Sequence, residues 1–289
     1  MSRRLAQAGY CEEKLVEKSE NDVTIVPNLF MAANVRGTST MMRSANPVLG
    51  TDTFRGTLAQ SPADQMTIQG TVNKTLALLL ILLVPAYYVW NLFFSTRDPG
   101  AINLYMMVGV FGGLGVALVT VFKKTWAPVT APLYAALEGL ALGGISSFFE
   151  ARFPGIVIQA VGLTFTTLLA LLMAYKSGLI KVTENFKLGV AAATGGIFLF
   201  YMLQMVLGFF GVSIPYVHEG GIIGIGFSLF VIIIASLNLV MDFDFIEEGA
   251  RRRAPKYMEW YAAFGLMVTL IWLYLEFLRL LSKLQGSRR

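Results

Sequence analysis

From Val72 onward the chain alternates between stretches of about 20 almost wholly apolar residues and short polar connections. Residues 1 to 70 instead mix Ser, Thr, Asn, Gln and Gly without sustained periodicity. An α-helix rises about 1.5 Å per residue, so about 20 apolar residues cross the roughly 30 Å of bilayer hydrocarbon. Seven stretches meet that length, approximately Thr75 to Phe94, Ala101 to Phe122, Val129 to Phe149, Ile156 to Tyr175, Leu188 to Gly211, Gly221 to Met241 and Met258 to Leu281. The pattern predicts an all-α fold, a polytopic membrane protein with a seven-transmembrane-helix bundle over residues 71–289. A mostly disordered, cytosolic tail is expected over residues 1–70. The short connections suit a compact bundle, because in lipid every backbone polar group must be satisfied within its own helix.

Composition agrees and narrows the function classes. Of the 289 residues, 55% are apolar and 14% charged, and the mean hydropathy is +0.63. That profile excludes a soluble enzyme and a nucleic-acid binder. The one cysteine, Cys11, has no partner for a disulfide framework. The net charge of +5 reflects topology, since Lys and Arg concentrate in alternate connections. Lys123 and Lys124, Lys176, Lys181 and Lys187, and Arg251, Arg252, Arg253 and Lys256 occupy the even connections, against Arg97 and Arg152 in the odd ones. Nine against two places the N-terminus and the even connections in the cytosol. Arg279, Lys283, Arg288 and Arg289 at the C-terminus pull the other way and keep a six-span alternative with one re-entrant segment open. Glycines cluster within the spans, around Gly109 to Gly115, Gly139 to Gly144, Gly195 and Gly196, and Gly220 to Gly226, which points to close helix packing inside the bundle.

The candidate chemistry is acidic. Glu138 lies in the third span, Asp242 and Asp244 at the cytosolic end of the sixth, and Glu276 in the seventh with Arg279 one turn away. An acid at the centre of a membrane helix costs about 2.5 to 3.5 kcal/mol, so its retention asks for a partner, water or a function. Glu138 is about 12 residues from the cytosolic lysines, about 18 Å deep and near the midplane. An intramembrane serine protease needs a histidine inside a span, whereas the one histidine, His218, falls in a connection beside Glu219. A retinal protein needs a lysine within the last span, and Lys283 falls beyond its expected end. Nucleotide-binding motifs are absent, and no cofactor is expected.

The string SLNLVMDFDFIEE from Ser236 to Glu248, followed by LYLEFLRLLSKL in the last span, resembles the Bax inhibitor (transmembrane Bax inhibitor motif) membrane proteins. Their sixth helix ends in an acidic D-T-Q-x-I-I-E-like stretch. LYAALEGLALG around Glu138 resembles the acid-bearing third helix of that family. MRSANPVLG and VNKTLALLL are similar to a long bacterial branch, frequent in actinobacteria. The resemblance covers about residues 70 to 284. It implies a seven-helix protein of the bacterial inner membrane that passes calcium, or another cation, down its gradient in a pH-sensitive way. In the family a pair of aspartates on the last two helices controls this passage. The resemblance places the first at Asp242, with Asp244 close by, as weak and transient calcium ligands. For the second, aligning Arg279 with the family ending L-F-L-S-L-L-R-I-L selects Thr269, whereas matching LYLE to L-Y-L-D selects Glu276. The first register is preferred because Arg279 stays in place. Thr269 and Glu276 are seven apart, on one face of a helix. Asp242, Asp244, Glu138 and Glu276 would then form a ladder of oxygen ligands, weak and spaced enough for a hard cation to pass, with protons competing for the same carboxylates. The alternative from other bacterial relatives is a non-conducting partner of another membrane protein, such as a protease or a stress-response complex.

Met41 and Met42 stand directly before RSANPVLG and are candidate starts, which leaves residues 1–40 without structural duty. Deleting residues 1–40 is expected to leave expression and thermal stability in detergent unchanged; a large loss of folded protein would refute this.

Overall fold

The computed structural model describes residues 61–96, 98, 100–210 and 221–287. The expectations for Cys11, Met41, Met42, Arg97, His218, Glu219 and residues 1–60 fall outside these. Seven helices are long and apolar enough to span a membrane. They are α1 (Ile68–Thr96), α2 (Gly100–Phe122), α3 (Ala127–Arg152), α4 (Ile156–Lys176), α5 (Glu184–Phe209), α6 (Ile222–Arg251) and α7 (Met258–Gly286). The six-span alternative gives way to seven.

Three boundaries move from the sequence expectation. α6 continues ten residues past Met241 to Arg251, because the segment stays packed on nearly all sides, with Phe243, Phe245, Ile246, Glu248 and Gly249 buried, while Asp244, Glu247 and Arg251 line up at helical spacing as one narrow outward stripe. α7 reaches Gly286, so Lys283 lies inside the last helix and is buried. Residues 61–70, assigned to the tail, are ordered: a 3-10 turn covers Pro62–Asp64 and α1 begins at Ile68.

α7 and α3 form the centre, each more than half buried, whereas α5 is buried over only 11% of its apolar window. The main core joins Leu78, Tyr134, Leu239, Phe264, Met267 and Leu273 from α1, α3, α6 and α7. Tyr134 meets Phe264 edge-on at 4.9 Å. α3 is built of small residues, so its neighbours approach closely. At Gly109 on α2, a Cβ would lie 2.6 Å from the Ala141 nitrogen and 2.7 Å from the Leu137 oxygen. Backbone cannot yield as a side chain would, so only glycine permits that crossing.

The start of α1 is clasped to the α6–α7 connection. The Met66 N–H donates to the Ala254 carbonyl at 2.7 Å, and the Lys256 N–H to the Asp64 carbonyl at 2.8 Å. Glu259, in the first turn of α7 and fully buried, accepts from the Thr67 N–H at 2.9 Å and from Thr67 Oγ1 at 2.8 Å. It also pairs with Lys74, and with Lys256 at 3.3 Å. Lys74 Nζ lies 5.5 Å from the Trp260 ring centroid. A Cβ at Gly70 would enter the Glu259 carboxylate, so a larger residue there requires that side chain to shift away from its partners.

The same end gathers the even connections. Lys124 sits over the Tyr261 ring, Tyr175 donates to Glu247 at 2.7 Å, and Lys187 pairs with Asp244 at 3.0 Å. The residues preceding α1 and the Arg251–Arg253 segment therefore share one face, and the end of α7 lies on the other.

Removing one member of a buried ion pair costs about 3–5 kcal/mol, because the other charge is stranded. Glu259→Leu and Lys74→Met are each expected to lower the thermal stability of the detergent-solubilised protein substantially. The double variant Glu259→Leu/Lys74→Met is expected to be more stable than the sum of the two losses. A strictly additive result would mean that the pair contributes nothing.

Candidate functional site

The acids found in the sequence fall on three different helix seams. Asp242 is 1% exposed and nine residues inside the end of α6, about 13 Å along the axis. The expectation that it stands at the end of the sixth helix is therefore corrected. Asn238, one turn earlier on the same side, donates Nδ2 to Thr194 Oγ1 at 2.8 Å and to the Ile234 carbonyl at 2.9 Å. Asp244 is adjacent in sequence, but two residues along a helix diverge by about 200°. Its carboxylate leaves the core and pairs with Lys187 of α5.

On α7, Thr269 and Glu276 are both buried on one side, as their seven-residue spacing requires. Thr269 Oγ1 donates to the Gly265 carbonyl at 3.3 Å. Glu276 Oε1 accepts from Arg279 at 2.6 Å and from the Tyr201 hydroxyl at 3.1 Å, and Arg279 also donates to that hydroxyl at 2.6 Å. Glu276 Oε2 is buried without a hydrogen-bond partner among the described residues. Glu138 faces another seam: its Oε2 would lie 2.9 Å from a Cβ at Gly113 of α2. Asp244, Glu138 and Glu276 thus look toward α5, α2 and the α5–α7 contact respectively. Among the described residues no group of three or more His, Cys, Asp or Glu side chains is gathered to hold a metal ion.

What the sequence reading missed is the way α5 is attached. Lys187, Thr194 and Tyr201 recur every seven residues and each binds a polar group of α6 or α7: Asp244, Asn238 and Glu276. Between them Val190 and Ile197 are buried. The 3,4 spacing is that of a coiled-coil seam, with polar groups in one of its two positions. The stripe is narrow, and Phe198, Leu199, Leu203 and Met205 beside it are exposed. The three rungs, with Lys283 bonded to Ser228 at 2.8 Å and to the Gly224 carbonyl at 2.9 Å, carry polar chemistry across the span from one face to the other. The signal was present as three hydrogen-bonding residues at period seven within an apolar run. Lys, Thr and Tyr are each ordinary beside an apolar run, and only their period carries the signal.

The family model described as Bax inhibitor 1 like matches residues 46–286. The chain belongs to that family, and its seven helices are those of a multi-pass membrane protein. No curated protein matches the chain significantly.

Tyr201→Phe removes the donor to Glu276 and the acceptor for Arg279, and is expected to destabilise by about 1 kcal/mol. Glu276→Gln, which leaves Arg279 without its charge partner, is expected to cost more, about 2 kcal/mol. Thermal unfolding in detergent checks the order, and a larger loss for Tyr201→Phe would contradict it.

Proposed function

We propose that this protein is a pH-sensitive cation leak of a bacterial inner membrane, with the face that carries Glu259 toward the cytosol. Calcium, or another hard cation, is its cargo. The observation that carries the reading is the burial of Asp242, 1% exposed, within a spanning helix. Apolar burial of an acid is costly, and such residues mark ion pathways more often than architecture.

Asp244 and Glu276 are engaged by Lys187 and Arg279, so the weak sites an ion would meet are Asp242 and, on another seam, Glu138. Spaced weak sites allow an ion to leave as readily as it enters. Protons compete for the same oxygens. Protonating Asp242 removes an attraction for the cation and changes what the buried faces of α6 and α7 can hold between them. Glu276 already has Arg279 and Tyr201, so it serves the junction with α5 more than the ion. Thr269 supplies a hydroxyl where the resemblance expects the second aspartate.

A non-conducting partner protein is the second reading. Gly195 and Gly196 of α5 have open space where a Cβ would stand, and exposed glycine backbone lets another membrane helix approach closely.

Purified protein in liposomes separates the two. Asp242→Asn keeps shape and hydrogen-bonding capacity but cannot ionise, and is expected to flatten the pH dependence of calcium flux. Glu138→Gln should lower flux at the pH where the wild type conducts best, Thr269→Asp should introduce a second, coupled titration, and Glu276→Gln should change flux least. If folded wild-type protein shows no flux above empty liposomes at any pH between about 5 and 8, the leak reading yields to the partner reading.

A further inference from the structure

We infer that the cavity between the last turns of α3 and α7 binds the phosphate-bearing headgroup of an anionic phospholipid. The cavity measures about 470 Å³ and lies at the end of the bundle opposite Glu259, lined by Phe149, Arg152, Phe153, Ser282 and Lys283. Its wall has two unlike parts. One is phenyl rings, which gain nothing from a free inorganic anion but favour the first methylenes of an acyl chain. The other is two cationic side chains.

Lys283 is 6% exposed and held in place by Ser228 and the Gly224 carbonyl, so its charge is fixed at the wall. Arg152 is exposed, with its guanidinium 5.8 Å from the Phe153 ring centroid, and it makes no ion pair among the described residues. The nearby acid on its own helix, Glu150, is turned away. Its two oxygens accept the N–H groups of Gly155 at 2.6 Å and Val157 at 3.1 Å, satisfying the start of α4. A guanidinium with its donors uncommitted is suited to a phosphate, which it binds bidentately. Basic pockets between spanning helices bind acidic lipid headgroups on the cytoplasmic or matrix side of membranes, and the same chemistry stands here at the opposite face. The larger apolar groove of about 620 Å³ beside Leu83, Trp90, Phe165 and Ile271 has no such charge, and nothing there selects one lipid from another.

The test uses the full chain in nanodiscs of phosphatidylcholine alone or with added phosphatidylglycerol, read by thermal unfolding and by native mass spectrometry of retained lipid. Phosphatidylglycerol should raise the unfolding temperature of the wild type and remain bound. Arg152→Gln, at an exposed side chain, should fold normally but weaken phosphatidylglycerol retention about tenfold, the equivalent of one charge-assisted contact. Lys181→Gln, an exposed charge on the opposite face, should respond like the wild type. The proposal is overturned if Arg152→Gln retains phosphatidylglycerol as the wild type does, or if phosphatidylcholine is retained equally. It is also overturned if soluble glycerol 3-phosphate reproduces the shift, since the site would then take a free anion.

Discussion

The carboxylate of Glu259 holds together three pieces of chain far apart in sequence: the approach to α1, the connection after α6 and the first turn of α7. It is fully buried, and a buried charge is tolerable only when it is paired and hydrogen-bonded on all sides. Thr67, Lys74 and Lys256 meet that demand, and each is thereby fixed. With the start of α7 pinned, the central helix has a defined rotation, and the rows of α1, α3, α4 and α6 that pack against it have a defined partner. The acid also stands at a helix N-terminus, where the macrodipole favours negative charge.

Around that anchor the bundle uses two different kinds of adhesion. α3 is held by shape: small residues bring it into backbone contact with α1 and α2, and dispersion over that area does the rest. α5 is held by chemistry: a thin line of hydrogen bonds and one ion pair, with most of its surface left to lipid. Interhelical hydrogen bonds in membranes are worth roughly 0.6 kcal/mol each on average, so α5 is the least firmly held of the spans. Asp244 and Glu276, candidates for ion chemistry on sequence grounds, stand on this weaker seam, and Asp242 lies on the neighbouring core side of α6.

The seven spans, their order and the sharing of one face by the even connections were legible because hydropathy and Lys/Arg placement report directly on lipid and water. The places where reading fell short have physical causes. The expected end of the sixth span at Met241 marks where hydropathy drops, whereas α6 continues because its exposed charges share one narrow stripe and the rest of its surface stays packed in the bundle. Lys283 fell beyond the last expected span through the same drop in hydropathy. Asp242 and Asp244 looked like a pair because they are two apart, yet helical rotation sends one inward and the other to Lys187. Glu259 stood in plain view at the start of a span, but its role depends on Thr67 and Lys74, nearly two hundred residues away, and no local pattern announces such a contact. The uncommitted guanidinium of Arg152 likewise becomes apparent only once Glu150 is seen to be occupied with α4.

The seven-residue repeat on α5 has a consequence for how that helix can move. Were its three rungs chemically alike, a slip by one repeat would exchange each partner for an equivalent one, and the helix could ratchet along its neighbours. They are not alike: an ammonium faces a carboxylate, a hydroxyl faces an amide, and a phenol faces a carboxylate already claimed by a guanidinium. Sliding by one repeat would oppose the ammonium to an amide and leave a carboxylate bare. Heterogeneity along the seam thus works as a key, giving a weakly attached helix a single address. A slide by one repeat therefore has no matched position to land in.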